Sequence, residues 1–130
     1  MIVVSDSSVL INLAWLNHLD LLKELYGEVT IPQAVWGEIV VSGRRKPGSQ
    51  EVQIATWIKT ATPKNVNLVK SLQRTIDRGE AESIALAIEV NADLLLMDER
   101  LGRSTARYFN LNVVGLIGVL IDAKGKGLIP

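Results

Sequence analysis

The chain alternates between short apolar runs and longer amphipathic segments, which is the pattern of repeated strand–helix units. Apolar runs predict strands at Ile2–Ser5, Val29–Ile31, Leu94–Met97 and Val113–Val114, because a parallel strand covered on both faces is apolar throughout. Val66–Leu68 is a further candidate for a short edge strand. The pattern therefore predicts an α/β fold in which helices cover a parallel sheet.

Apolar positions at helical spacing predict the helices between these strands. The first helix begins near Ser8, and its apolar spacing continues to Gly27, a suitable C-cap. Pro32 suits the first turn of the second helix, and Val52–Ile58 indicates a third that runs up to a break at Thr62–Pro63. Later helices are predicted at Val69–Ile76, at Glu80–Ile88, at Glu99–Phe109 and after Val114.

The helix predicted at Glu99–Phe109 has two distinct faces. The residues expected to face inward are Leu101, Ser104, Thr105 and Tyr108. A second face carries Arg100, Arg103 and Arg107 at the spacing i, i+3, i+7. Such an arginine stripe is usually a solvated surface, but this one begins two residues after Asp98 and is our candidate for binding a nucleic-acid backbone.

Composition narrows the class of protein. With 130 residues, of which 48% are hydrophobic, the chain is expected to fold as one domain, residues 1–130. Cysteine is absent, which excludes disulfides and thiolate metal sites and favours a cytoplasmic location. The longest apolar stretch, Val113–Ile121, is too short to span a bilayer, so we expect no contact with a membrane. Acidic and basic residues balance at 14 each, so any attraction to nucleic acid must be local.

Carboxylates occupy the positions where the chemistry is expected. Asp6 and Asp98 directly follow predicted strands, and Glu80 lies in the first turn of the helix that leads to the strand before Asp98. Strand ends and the starts of the following helices share one edge of a parallel sheet, where ligands bind in open α/β folds. Glu38 is a weaker member of this group, since it lies roughly 9 Å along its helix from Pro32.

Clustered carboxylates repel one another unless a cation neutralises them. An oxygen-only ligand set favours Mg²⁺ or Mn²⁺ over zinc, and such ions can polarise a phosphodiester and acidify water. The only histidine, His18, is expected to be structural or exposed, so hydrolysis would need no histidine base. The four acids therefore point to a metal-dependent nuclease.

Each acid also has a structural alternative. Asp6 and Asp98 are suitable N-caps for the helices that follow them, and Asp77 to Glu80 has the spacing of a capping box. Glu82 competes with Glu80 for the position of third acid. Ser8 is a secondary candidate near the metal, with helix capping as an equally good account.

Several segments resemble the PIN domain, in particular its VapC-related, PilT N-terminus-like prokaryotic branch. The opening Val4–Ile11 is similar to the family's first acidic segment, and Ile31–Glu38 is similar to its second. Glu80–Ala87 fits the third segment without gaps, with glutamate in place of the usual aspartate, and this alignment brings Asp98 onto the fourth acidic position. The resemblance covers essentially the whole chain, although it leads us to expect further helical sequence after Pro130.

The resemblance implies a three-layer α/β/α fold with a four- or five-stranded parallel sheet. It also implies a Mg²⁺- or Mn²⁺-dependent ribonuclease, the toxin of a type II toxin–antitoxin pair, with RNA as substrate, an antitoxin protein as partner and a homodimeric state. The catalytic and metal-binding residues would be Asp6, Glu38, Glu80 and Asp98. The alternative is a non-catalytic PIN-like module that binds nucleic acid or protein.

Overall fold

The computed structural model describes residues 1–130 and contains a five-stranded, entirely parallel sheet. The strands are β1 (Val3–Ser5), β2 (Val29–Pro32), β3 (Ile58–Ala61), β4 (Leu94–Leu96) and β5 (Val113–Val114). Their order across the sheet is β3-β2-β1-β4-β5. The predicted α/β fold with a parallel sheet is confirmed, with five strands.

The order of the strands reverses next to β1. After β1 the chain places β2 and β3 on one side, and it then returns to place β4 and β5 on the other. Val4 of β1 pairs with Thr30 of β2 and with Leu95 of β4, so β1 lies at the centre of the sheet. A reversal of this kind opens a crevice at the carboxyl ends of the central strands.

Eight helices accompany the sheet, and one of them changes its geometry along its length. They are α1 (Ser7–Trp15), α2 (Leu21–Tyr26), α3 (Gln33–Trp36), α4 (Ser49–Ile54), α5 (Val66–Leu72), α6 (Arg78–Glu89), α7 (Arg100–Tyr108) and α8 (Leu116–Gly125). Helix α3 continues without a break into a π-helical segment, Gly37–Ser42. None of these helices is both long and apolar enough to cross a membrane.

Neighbouring residues of the central strands point into two separate cores, which produces the three layers. Val3 and Leu96 pack with α1, α2, α3 and α8 on one face, whereas Val4 and Leu95 pack with α5, α6 and α7 on the other. Adjacent residues of a strand face opposite ways, so a strand between two helical layers must be apolar at every position. This explains why β4 is a continuous apolar run and why β1 is apolar up to Ser5, whose buried hydroxyl donates to the carbonyl of Asp6 at 2.9 Å.

Two segments have a secondary structure that differs from the prediction. The segment Val66–Leu68, predicted as an edge strand, belongs to helix α5, whose N-cap Asn65 accepts a 3.0 Å hydrogen bond from Leu68 N–H. The edge strand is Ile58–Ala61, which was predicted to belong to or follow a helix. Only Ile58 of that strand is buried, so its period-two pattern was too short to recognise beside the apolar spacing of α4.

The first predicted helix is divided into α1 and α2. Asn17 has a φ of 58°, a left-handed conformation that ends α1, and α2 begins at Leu21. Gly27, the predicted C-cap, has a φ of 80° and donates its N–H to the carbonyl of Lys23 at 2.8 Å. The C-cap prediction is therefore confirmed, whereas a continuous helix up to it is not.

The inward face of α7 also differs from its prediction. Leu101, Ser104 and Tyr108 are exposed, Tyr108 by 82%, and Thr105 is half-buried. The buried residues are instead Gly102 and Ala106. A methyl group on Gly102 would lie only 2.7 Å from Met97 Sδ, so the small residues allow α7 to lie close to the end of β4. The prediction chose the inward face of α7 by hydrophobicity, and it was wrong because close packing against β4 favours small side chains.

Candidate functional site

Asp6 lies at the carboxyl end of β1, beside the end of β4. Its backbone N–H donates to the carbonyl of Leu96 at 2.9 Å, which extends the β1–β4 ladder by one bond. The side chain makes no capping bond to α1, and the residue is only 4% exposed. Its Oδ1 atom is buried and has no hydrogen-bond partner. The simple explanation of Asp6 as a helix cap therefore fails.

The surroundings of Asp6 disfavour its charged form. Burial raises the pKa of this carboxyl to about 7, an effect that the backbone amide of Ser7 partly opposes and the negative charges of Glu38, Glu80 and Asp77 reinforce. A buried carboxylate with a free oxygen and only negative neighbours lacks a counter-charge. A bound cation would supply one.

Glu38 approaches Asp6 from the π-helical segment that follows α3. It accepts a 2.8 Å hydrogen bond at Oε2 from the Ser7 hydroxyl. A methyl group on Gly79 would overlap Glu38 Oε1 and lie 3.4 Å from Asp6 Oδ1, so both carboxylates reach the space beside this glycine. Partial burial raises the pKa of Glu38, although the Ser7 hydroxyl opposes this. The fourth acid, which appeared too far along its helix, therefore lies near Asp6.

Glu80 occupies the first turn of α6 and is 5% exposed. The predicted capping box is present: Glu80 N–H donates to Asp77 Oδ1 at 2.8 Å, and Asp77 N–H donates to Glu80 Oε1 at 3.1 Å. The second oxygen, Oε2, faces Gly102, where a methyl group would approach it to 2.9 Å. Burial raises the pKa of this carboxyl to about 7 despite the bond from the Asp77 amide. Oε1 thus completes the capping box of α6, and Oε2 is available to a ligand.

Glu82 has both of its oxygens engaged in the structure. Oε1 accepts from Ala34 N–H at 3.1 Å, in the first turn of α3, and Oε2 accepts from Arg78 Nε at 3.1 Å. Glu82 does not line the cleft next to Asp6. Its contacts fix α6 against α3, which is a structural role.

Asp98 follows β4 and caps a helix other than the one predicted. Its Oδ1 accepts a 2.7 Å hydrogen bond from Leu116 N–H at the start of α8, and not from α7. A methyl group on Gly115 would lie 2.5 Å from the same oxygen and 3.0 Å from Arg103 Nη1. Arg103 is thus the arginine of the predicted stripe that comes close to an acid of the site.

The acids border a cleft of about 410 Å³ at the carboxyl ends of β1 and β4. Its ten lining residues are Asp6, Ser7, Ser8, Thr75, Ile76, Asp77, Glu80, Asp98, Glu99 and Leu101. Five of the ten are acidic and none is basic, so the cleft favours cations. Glu38 lies beside the cleft and lines a separate hollow.

Comparison with protein families agrees with this architecture. A family model described as DUF3368, a PIN domain, matches residues 2–130. The chain belongs to the PIN-domain family. PIN domains are generally nucleases that use divalent metal ions, which places this chain in a superfamily of hydrolases acting on nucleic acids. No curated protein matches the chain significantly.

The residues of this PIN domain suit a divalent cation in their chemistry, but they do not form a finished ligand set. No three histidine, aspartate or glutamate side chains stand close enough together to hold an ion as they are placed. The free, buried Oδ1 of Asp6 and the available Oε2 of Glu80 are hard oxygen donors of the kind that Mg²⁺ and Mn²⁺ prefer. The site therefore suits a divalent cation in the type and the charge of its donor atoms.

Two acids of the cleft were not among the predicted site residues. Asp77 and Glu99 both line it, the first as the N-cap of α6 and the second just before α7. The rule that helix starts share an edge with strand ends applies equally to both of them. Their proximity could thus have been recognised; for Asp77, its role as the cap of α6 hid it, whereas Glu99 makes no capping bond.

Ser8 is the remaining polar group of interest. Its hydroxyl is buried without a hydrogen-bond partner, although the residue borders the cleft. Ser7, in contrast, is engaged with Glu38. The Ser8 hydroxyl therefore makes no capping bond, and it can both donate and accept a hydrogen bond at the site.

Proposed function

We propose that this PIN domain is an endoribonuclease that depends on Mg²⁺ or Mn²⁺. The observation that carries the proposal is Asp6, a buried carboxylate with an unpartnered oxygen, in a cleft that contains five acids and no base. Such a cleft is electrostatically unfavourable without a cation. The membership of the PIN-domain family supports the nuclease chemistry.

The ion would be held by Asp6 and Glu80, with Asp98 and Glu38 as further ligands. A bound divalent ion supplies charge neutralisation for the scissile phosphate and a lowered pKa for water. The proposed ligands come from the ends of β1 and β4 and the start of α6, with Glu38 from the segment after α3. Glu82 is not included, because both of its oxygens already have partners.

Other residues of the chain would position the substrate. Ser8 has a free hydroxyl at the cleft and can orient a water molecule near the phosphate. Arg103 lies next to Asp98, and Arg100 and Arg107 extend the positive charge along α7. Arginine pairs well with phosphate oxygens, so this helix would bind the RNA backbone beside the acidic cleft.

Cleavage of single-stranded RNA by the purified chain tests the proposal. We expect cleavage in millimolar Mg²⁺, none in EDTA, and none by the Asp6→Asn variant. Asp20→Asn is the matched control, since Asp20 is exposed, makes no capping bond and lies outside the cleft. Cleavage that persists undiminished in the Asp6→Asn protein would refute the mechanism.

The rival is a PIN-like module that binds nucleic acid or protein without cleaving it. It draws support from the structural roles of Asp98 and Glu80 as helix caps. The two functions differ in their response to Mg²⁺, because the module would bind RNA equally well with EDTA present. A binding assay run beside the cleavage assay separates them.

We also propose that the chain is the toxin of a type II toxin–antitoxin pair and acts as a homodimer. The support is the resemblance of its acidic segments to VapC-related proteins, together with exposed apolar side chains such as Ile117 and Ile121 on α8 that suit a protein partner. Expression of the chain in bacteria should arrest growth, and Asp6→Asn should relieve that arrest. Normal growth at high expression of the active chain would contradict the toxin role.

A further inference from the structure

A second hollow is lined by Glu38, whose carboxylate is hydrogen-bonded to Ser7 at the wall of the acidic cleft. It has a volume of about 270 Å³ and lies between the end of α1, the π-helical segment and the loop that follows this segment. Its lining includes Trp15, Glu38 and Lys46. Glu38 is therefore close to both cavities: it lines this hollow, and it accepts a hydrogen bond from the hydroxyl of Ser7, which is next to Asp6 in the sequence.

Trp15 supplies an aromatic surface to this hollow. Its side chain is 66% exposed, whereas Trp36 and Trp57 are partly buried against the core. A single exposed tryptophan needs no explanation by itself. Here the indole lines the same hollow as the proposed ligand Glu38, where it can stack on a planar group.

Lys46 also lines this hollow, and hydrogen bonds hold the loop that carries it. Its N–H donates to the carbonyl of Gly43 at 2.9 Å, and its own carbonyl accepts from Ser49 N–H at 3.2 Å. The Ser49 hydroxyl donates to the carbonyl of Val40, which ties the loop to the π-helical segment. Gly48, with a φ of 97°, packs against the α1 residues Ile11 and Ala14. The loop thus places a lysine beside the hollow in a defined position.

The charge around the hollow favours a nucleotide as its occupant. Arg44 and Arg45 precede Lys46 on the same loop and border a neighbouring polar hollow, so this loop is basic. Helix α7, which follows β4 on the other side of β1 from β2, carries three arginines. An RNA strand crossing the cleft would therefore meet positive charge both before and after the carboxylates.

We propose that this hollow is a subsite for one nucleotide of single-stranded RNA, with the base stacked on Trp15 and a neighbouring phosphate bound by Lys46. The inference rests on the proposed ribonuclease function. An aromatic platform beside a basic loop is the usual means of binding single-stranded RNA without reading its sequence. A protein helix would need a longer apolar groove than these residues provide.

Binding of a fluorescein-labelled oligouridylate tests the subsite apart from cleavage. The measurement uses the Asp6→Asn protein in Mg²⁺, so that the probe stays intact, and compares it with the same protein carrying Trp15→Leu or Trp15→Phe. Loss of one stacked base should raise the Kd about 5- to 150-fold in the leucine variant. The phenylalanine variant keeps an aromatic face and should retain most of the affinity.

Lys46→Gln gives an independent reading of the phosphate contact. The slope of log K against log salt concentration should become shallower by about 0.7, the value for one lost contact to a single strand. Lys59→Gln is the control, since Lys59 is an exposed lysine that lines neither the cleft nor the hollow. Equal slopes for the wild-type and Lys46→Gln proteins would refute the proposed contact between Lys46 and phosphate.

The outcomes separate the subsite from the function on which it rests. In the otherwise unmodified enzyme, Trp15→Leu should raise the KM for RNA more than it changes kcat, because Trp15 does not line the acidic cleft and is not a proposed metal ligand. Unchanged Kd and KM in an enzyme that cleaves RNA would overturn the subsite alone. Failure of the unmodified protein to cleave would overturn the nuclease function, whereas the Kd comparison would still decide the subsite. Absence of any oligouridylate binding would overturn the subsite too.

Discussion

Asp6 combines a cost to stability with a proposed role in catalysis. Its carboxylate is buried, lacks a partner for Oδ1 and has its pKa raised to about 7. Proteins place such groups where a ligand later compensates them, since an unpaired buried charge otherwise destabilises the fold. Removing the charge of Asp6 should therefore raise the stability of the metal-free protein and abolish its activity.

Asp6→Asn should raise the stability of the metal-free protein. At about pH 8 the wild-type carboxylate is largely ionised, so its neutral replacement should increase the free energy of unfolding by about 1 kcal/mol or more. Urea denaturation in EDTA measures this. The Asp20→Asn control should stay within about 0.5 kcal/mol of wild type. A clear loss of stability in Asp6→Asn would show that the carboxylate has a partner in solution.

Glu80 and Glu82 should differ in the property they control. Glu80→Gln should abolish Mg²⁺-dependent cleavage, whereas Glu82→Ala should cost about 1–3 kcal/mol of stability, because it leaves Ala34 N–H and Arg78 without their acceptor. Cleavage rates and urea midpoints of the two variants provide the measurement. If Glu82→Ala removes cleavage from a protein of unchanged stability, the third acid has been assigned wrongly.

At the scale of elements, glycines make room for the carboxylates. Gly79 at the start of α6 faces Glu38 and Asp6, Gly102 on α7 faces Glu80, and Gly115 before α8 faces Asp98. None of the three has a positive φ, so backbone conformation does not require glycine there. The requirement is space, which an acidic side chain occupies in each case and which Met97 also occupies at Gly102.

Gly79→Ala should damage the site more than the fold. The added methyl group would overlap Glu38 Oε1 and displace that carboxylate, so cleavage should fall at least tenfold, while alanine itself favours the helix by about 1 kcal/mol. Gly37→Ala is the matched control, because Gly37 is helical and nothing lies within 4 Å of its added carbon. Comparable cleavage by both variants would mean that Glu38 does not need its observed position.

The elements show how far the sequence could be interpreted. The apolar runs of β1 and β4 identified the central strands, and their order allowed Asp6, Glu80 and Asp98 to be placed at one edge. Edge strand β3 was missed, since only one of its residues is buried. Glu38, which lies near Asp6, belongs to the π-helical segment, and no residue pattern predicted that change in geometry. Local periodicity carries no information about such tertiary adjustments.

At the scale of the whole molecule, the acidic cleft should make stability depend on pH. Asp6 and Glu80 each have a pKa of about 7 in the folded chain, above the ordinary values of 3.8 and 4.5. The folded state therefore binds these protons more tightly than the unfolded state does. Its stability from these groups is fully present below about pH 4 and is lost as the pH rises towards 7.

The urea midpoint in EDTA should accordingly fall between about pH 5 and pH 7.5. Saturating Mg²⁺ should flatten this dependence, because a cation that binds the ionised carboxylates favours their charged form in the folded state. Asp6→Asn should also reduce the slope. A midpoint that rises over this interval in EDTA would contradict the raised pKa values.

The most direct measurement of the cation site is a titration of the isotopically labelled protein with Mn²⁺, followed by NMR. This paramagnetic ion broadens the amide signals of residues close to it. We expect selective broadening at Asp6, Glu80 and Asp98, reversed by excess Mg²⁺ and absent in the Asp6→Asn variant. Broadening centred elsewhere in the chain, or equal broadening in wild type and Asp6→Asn, would contradict a divalent-cation site at the ends of β1 and β4.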